Sequence, residues 1–245
     1  MLTGPLLFVR YAFMPNHLGY CGGDDSRTMF EYAVNAEEDD GLRQLERQFE
    51  GAYPYLQLIA MTNNIADPLD ARVVEAYWVG NRLLDRVDMG TLYASIQDRF
   101  KRRTGPKEWR WLASKAPAGA RPHHSFHVLE VFPRIGMMRS GAADHLVETM
   151  ENCCIRWGLV RAAMGPDLIV EVHPLLLGEG RLSLGPPRIE SVKRRLNGHG
   201  FLDSVKAGEW VSIHWGWACD TLTWQQRTEL ERYTRWHIAL CNQTL

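Results

Sequence analysis

Two kinds of hydrophobic spacing divide the chain near residue 150. Before it, apolar positions recur every three or four residues, as on the buried stripe of an amphipathic helix. Met29, Phe30 and Ala33 make one stripe, capped by Asp24 or Asp25. Leu42, Leu45, Phe49 and Ala52 make a second, starting near Gly41 and bent at Pro54 before YLQLIAM continues. A third begins at Asp67-Pro68 and carries Val73, Val74, Tyr77, Leu83 and Leu84, and a fourth spans Met89 to Arg102. Ahead of them a short apolar segment, Leu6 to Phe13, runs into the turn-rich stretch MPNHLGYCGGDD, where Pro15, Asn16, Gly19, Gly22 and Gly23 oppose regular structure. TGPKEWRWLASKAPAGARP, 104–122, reads as a long connection, HHSFHVLEVFPRIG as helical or extended, and Ala142 to Met150 as a short polar helix.

After Asn152 the period shortens to two. CCIRWGLVRAA, LIVEVHPLLL, RLSLGPPRIESVKRRL and EWVSIHW read as strands separated by the turns MGPD, GEG and NGHG. Strands at this spacing predict a small Greek-key or OB-like barrel, closed by an amphipathic helix that Thr223 caps. The expected fold is therefore α+β, a mostly helical domain over 1–150 followed by an OB-like β-barrel over 151–245 with a C-terminal helix. In GEWVSIHWGWACD, Val211, Ile213 and Trp215 point one way and Ser212 and His214 the other, as in a half-buried strand. This fixes His214 at a rigid position, and barrel closure is expected to bring it to Cys153 at an accessible rim.

Composition narrows the function classes. A net charge of −1 with 45% hydrophobic and 23% charged residues describes a globular protein and not a polyanion binder. The KRR triplets at 101–103 and 193–195 are short, so no nucleic-acid partner is expected. The opening MLTGPLLFVRYAF is too short and too poorly flanked for a signal peptide, and no run of apolar residues reaches membrane-spanning length. A cytoplasmic location is the expectation. Five cysteines without a CxxC fit a reducing compartment, where thiols pack, bind metal or react.

Candidate chemistry lies in both halves. His123, His124, His127 and Glu130 are the densest group of metal-ligating residues. On a helix, His123, His127 and Glu130 would share one face at i, i+4 and i+7. The glutamate of HExxH is missing, which removes a zincin mechanism. Glu50 and Glu75 stand in apolar helical stretches and would complete a carboxylate-histidine metal site if they converged on the histidines. Cys21, in its glycine-rich turn before a helix, is a further thiol candidate.

The order Cys153, Ile155, Gly158, Val160, then a hairpin, then GEWVSIHWGWA and a helix beginning TWQQ resembles the HypC/HupF-type chaperones of NiFe-hydrogenase maturation. The whole chain also resembles an uncharacterised bacterial and archaeal family associated with hydrogenase gene clusters. The likeness to HypC covers the last 95 or so residues and is most specific in GEWVSIHWGWA. It implies that Cys153 and His214 hold iron as a fragment carrying CO and cyanide, with the hydrogenase large subunit or a maturation protein as partner. Two departures stand out: Cys153 is internal rather than amino-terminal, and Trp157 replaces the family's proline. Trp215 and Trp217, beside His214, would shield the bound group or dock the partner. Cys154 faces the other way by strand alternation, and Cys219 is a reserve ligand. The competing expectation is a metal-dependent enzyme, with iron or another metal held by His123, His127 and Glu130.

Overall fold

The computed structural model describes residues 2–134 and 143–243. The first helix, α1 (Gly4–His17), buries Phe8, Val9, Tyr11, Ala12 and Phe13 together. Buried on most sides and polar only at Arg10, which pairs with Asp220, and at its C-terminal end, it shows no stripe, and the expected short segment ending at Phe13 extends through Pro15 to His17. Proline sits in the last turn, where only the N–H that would have bonded the Tyr11 carbonyl is lost.

Around α1 gather α2 (Ser26–Asn35), α3 (Asp40–Arg47) and α5 (Ala71–Trp78), with α4 (Tyr53–Thr62) packed on α5. The expected bent helix from Gly41 is two separate helices, because Pro54 occupies the first turn of α4, where its missing N–H costs nothing. The third expected helix stops at Trp78, since Gly80 takes a positive φ of 100°, and Leu84 belongs to a 3-10 turn over Leu84–Arg86. Then come α6 (Met89–Phe100) and α7 (Pro106–Ala113). The latter corrects the reading of 104–122 as unbroken connection: Pro106 starts a helix whose Leu112 is buried. Next are α8 (His124–Phe126), which continues as a π-helical turn over His127–Val131, and α9 (Ala143–Cys153). The expected start of α9 at Ala142 lies outside the described residues.

The remaining chain forms β1 (Arg156–Met164), β2 (Asp167–Val172), β3 (Leu175–Gly178), β4 (Arg181–Leu184), β5 (Arg188–Lys193), β6 (Arg195–Leu196), β7 (His199–Gly200), β8 (Trp210–His214) and β9 (Trp217–Leu222). It ends in α10 (Trp224–Asn242), which opens with the expected capping box of Thr223 and Gln226. Strands β1, β2, β5, β9 and β8 close in that order into a five-stranded barrel. All its pairings are antiparallel except β5 with β9, an OB-like arrangement as expected. The barrel is filled by Val160, Leu168, Val170, Val172, Val192, Val211, Ile213 and Ala218. Gly158 faces this interior, where an added Cβ would lie 2.9 Å from Ile213 and 3.1 Å from both Val170 and Val172.

Strand β8 differs from the half-buried strand expected. Val211 and Ile213 do point into the barrel, but Ser212 and His214 on the other face are equally buried. They meet α1: Ser212 Oγ lies 3.1 Å from the Tyr11 hydroxyl, and His214 Nδ1 lies 2.7 Å from the Tyr11 carbonyl. The strand ends at His214. Trp215 and Gly216 form the turn to β9, with φ of 52° and 68°. The largest core cluster joins Phe8, Tyr11 and Trp78 from the helical half to Ile155, Trp157, Trp217 and Cys219 from the barrel half.

Candidate metal centre

Where α1, α5, α8, α9 and the end of β8 meet, one ligand atom each from His124, Cys153 and His214 lies within 4.8 Å of the others. Each is set by backbone chemistry. His214 ends β8 and donates its Nδ1 hydrogen to the Tyr11 carbonyl, the acceptor that Pro15 leaves without its helical partner. Its Nε2 therefore carries the lone pair, and it is buried with no hydrogen-bond partner among the described residues. Cys153 is the last residue of α9, not the first of a strand, so its carbonyl is one of that helix's orphans. That carbonyl lies 2.8 Å from His124 Nε2, which donates to it, while the Asn152 carbonyl accepts from Trp215 N–H at 2.9 Å. The two donors that cap α9, the His124 imidazole and the Trp215 N–H, thus come from residues that line the site. With Nε2 protonated, His124 keeps its lone pair on Nδ1, 3.0 Å from the Tyr77 hydroxyl, which has the Gly51 carbonyl at 3.3 Å as an alternative acceptor.

The three ligands open onto a cavity of about 60 Å³. Phe49, Ala52, Trp78 and Phe132 line it with His127, and the exposed turn carrying Tyr20 and Cys21 covers it. Tyr20 stacks on Trp215 with ring centroids 4.0 Å apart. Burial holds the imidazoles neutral: His214 is pushed down to about 4, and His124 well below the usual histidine range by burial and by His214 and His127 beside it. Burial also pushes the Cys153 thiol up to about 12, against a smaller opposing pull from Trp215. Although Cys21 is exposed as a residue, its thiol lines the cavity and is likewise raised to about 12, by burial of the sulfur and then by Cys153 nearby. Neutral imidazoles are ready ligands, whereas the thiol must give up its proton to a metal as it binds. Two nitrogens and one sulfur select a borderline or soft transition metal over magnesium or calcium, and three protein ligands leave a position open.

The sequence profile of a family of unknown function, DUF6390, matches residues 1–245. The chain belongs to DUF6390. No curated protein and no solved structure matches it.

In this DUF6390 member the other expected site residues take different places. His123 is the extended residue ahead of α8, not part of it, so the i, i+4, i+7 face with His127 and Glu130 does not form. Its Nδ1 lies 2.7 Å from Ser125 Oγ, which in turn lies 2.7 Å from His237 Nδ1, a buried chain away from the cavity. Glu130 follows the wider π turn to another side, where it is fully buried, 3.0 Å from Lys115 and from the Trp111 indole N–H. Of that trio only His127 borders the cavity. Glu50 is exposed, and Glu75 bonds Asn81 and Gln226. Trp217 pairs with His214 across the β8–β9 ladder on the outer face of the barrel, but its ring packs on Phe13, Phe30 and Phe201 and does not line the cavity. Trp215 alone reaches the cavity. Cys154 and Cys219 are core residues. The thiol and imidazole meet, but under the helical half and outside the barrel wall, not at an open rim. His124 is the candidate ligand that the spacing argument passed over: only a helix starting at 124 puts it in register, and a histidine N-cap gives no usual sequence signal.

Proposed function

We propose that this protein is an accessory factor of NiFe-hydrogenase maturation that binds an iron fragment through His124, Cys153 and His214 and passes it on. The receiver would be the precursor of the hydrogenase large subunit or a maturation protein, in the cytoplasm. What carries the reading is the approach of Cys153 to His214, the two positions singled out by the likeness to HypC, with His124 beside them as a third ligand. The fragment is cargo: three protein ligands would hold one side of a six-coordinate iron and leave the remaining positions to the ligands it already bears. The Tyr20 and Trp215 stack at the cavity mouth supplies an aromatic surface from which a partner can take it. The helical half then contributes a ligand and the cavity walls in addition to any part in recognition.

The competing enzyme built on His123, His127 and Glu130 loses support because those side chains lie apart. The test is anaerobic purification with native partners, followed by infrared spectroscopy in the region of metal-bound CO and cyanide. Such bands are expected from the native protein and lost in Cys153→Ala and His214→Ala, together with hydrogenase activity in cells. Normal hydrogenase activity in both folded variants would remove the proposed role.

A further inference from the structure

Cys21 lines the same cavity as Cys153, yet its sulfur is not among the three ligand atoms that lie within 4.8 Å of one another. The turn that carries it is built to stand over that cavity. Asn16, buried in the last turn of α1, donates from its side-chain amide to the Cys21 carbonyl at 2.8 Å and to the Gly23 carbonyl at 2.5 Å. Gly22 has a φ of 84°, and a Cβ there would lie 2.5 Å from Phe49, a wall of the cavity, and 2.7 Å from the Asn16 amide. Only glycine lets the turn lie this close. On the other side of Cys21, the stack of Tyr20 on Trp215 holds the turn down.

Charge says what the second thiol is for. None of the residues lining the cavity is Asp, Glu, Lys or Arg. A divalent ion held by two neutral imidazoles and one thiolate would leave a net positive charge among Phe49, Trp78 and Phe132, where burying it is costly. A second thiolate cancels that charge. His127, the further donor on the cavity, is neutral and cannot do so. The phenols of Tyr20 and Tyr77 ionise less readily than a thiol, and that of Tyr77 already lies 3.0 Å from His124 Nδ1.

We propose that Cys21 is the fourth ligand of a closed state of the site, completing a tetrahedral set of two nitrogens and two sulfurs around a divalent ion of the zinc class. With the backbone pinned by Asn16, rotation of the Cys21 side chain and a small inward shift of the turn bring its sulfur to the other three. Cys153, at a fixed helix end, seats the ion first and Cys21 is drawn in afterwards, so loss of Cys153 loses the site whole. Each thiol gives its proton to solvent as its sulfur binds. A six-coordinate fragment would leave no position for Cys21, and the turn would then stand open. The proposal rests on the metal centre above and not on the identity of its cargo.

The test is an anaerobic cobalt(II) titration of the metal-free full chain at pH 7 in weak buffer. It reads proton release with an indicator and the sulfur-to-cobalt charge-transfer band in parallel. The native protein should release about two protons per ion, one from each thiol, because both imidazoles are already neutral. Cys21→Ser, a change on an exposed turn, should release about one, show roughly half the charge-transfer absorption and bind cobalt at least about tenfold more weakly. Cobalt loading should also protect Cys21 of the native protein from alkylation by iodoacetamide. One proton per ion in the native protein, an unchanged band in Cys21→Ser, or equal alkylation of Cys21 with and without cobalt would each overturn the proposal and leave a three-ligand site standing. A native protein that binds no cobalt would instead overturn the metal reading and this one with it.

Discussion

His214 owes its ligating tautomer to one backbone acceptor. The Tyr11 carbonyl takes the Nδ1 hydrogen and leaves Nε2 bare, which turns a buried histidine into a ligand without any charge beside it. Replacing it with alanine should abolish high-affinity metal binding and cost about 1–3 kcal/mol of stability from the cavity left behind, measured by denaturant unfolding beside a metal titration. A second residue-scale prediction concerns Glu46, buried on α3 with both carboxylate oxygens lacking hydrogen-bond partners among the described residues. Burial raises it from 4.5 to about 8. The folded state then keeps a proton that the unfolded state releases, so stability falls as pH rises from about 5 to 8. Glu46→Gln should flatten that decline and stabilise the protein at pH 7 by on the order of 2 kcal/mol. Parallel pH–stability curves for the two proteins would show that Glu46 is not the cause.

Helix α1 acts through its defect. Pro15→Ala restores an N–H that competes with His214 for the Tyr11 carbonyl, so metal affinity should drop about tenfold, as when a supporting hydrogen bond of a ligand is lost, while thermal stability holds or rises. Unchanged affinity would detach α1 from the site. Pro15 is visible in the sequence, but its effect is not. Its place reads as a turn because the helix is buried on most sides and leaves no amphipathic stripe to count. The His123, His127 and Glu130 pattern fails for a related reason: spacing arguments assume one helical phase, and here the helix begins after His123 and widens to a π turn at His127. By contrast the strand periodicity from residue 156 onward, the barrel it closes and the Thr223 cap were all legible, since each rests on local alternation or a short capping pattern.

At the scale of the whole molecule, the site exists only where the two kinds of structure meet. His124 comes from the helical half, Cys153 from its last helix and His214 from the barrel, and the core beneath them is continuous. Arg156, at the start of β1, is nearly buried and pairs with Glu151 of α9 at 2.9 Å and Glu190 of β5 at 3.1 Å. Arg188 pairs with the same two carboxylates, at 2.9 and 2.6 Å, so Arg156→Met leaves each one partner and should destabilise the protein by about 1–2 kcal/mol, less than the ~3 kcal/mol of a fully broken buried pair. The native protein should unfold in one transition by both helical circular dichroism and tryptophan fluorescence; two separate transitions would mean that the halves fold independently. No sequence period reports such a junction: strand pattern and likeness point to Cys153 and His214, whereas their neighbour His124 shows only in the fold. The most direct test is an anaerobic titration of metal-free protein with cobalt(II), followed by the sulfur-to-cobalt charge-transfer band. Saturation at one equivalent, with the band lost in Cys153→Ser and the affinity sharply reduced in His124→Ala and His214→Ala, is the expected result. A native protein that gives no saturable band, or a Cys153→Ser variant that keeps it, would contradict the metal centre.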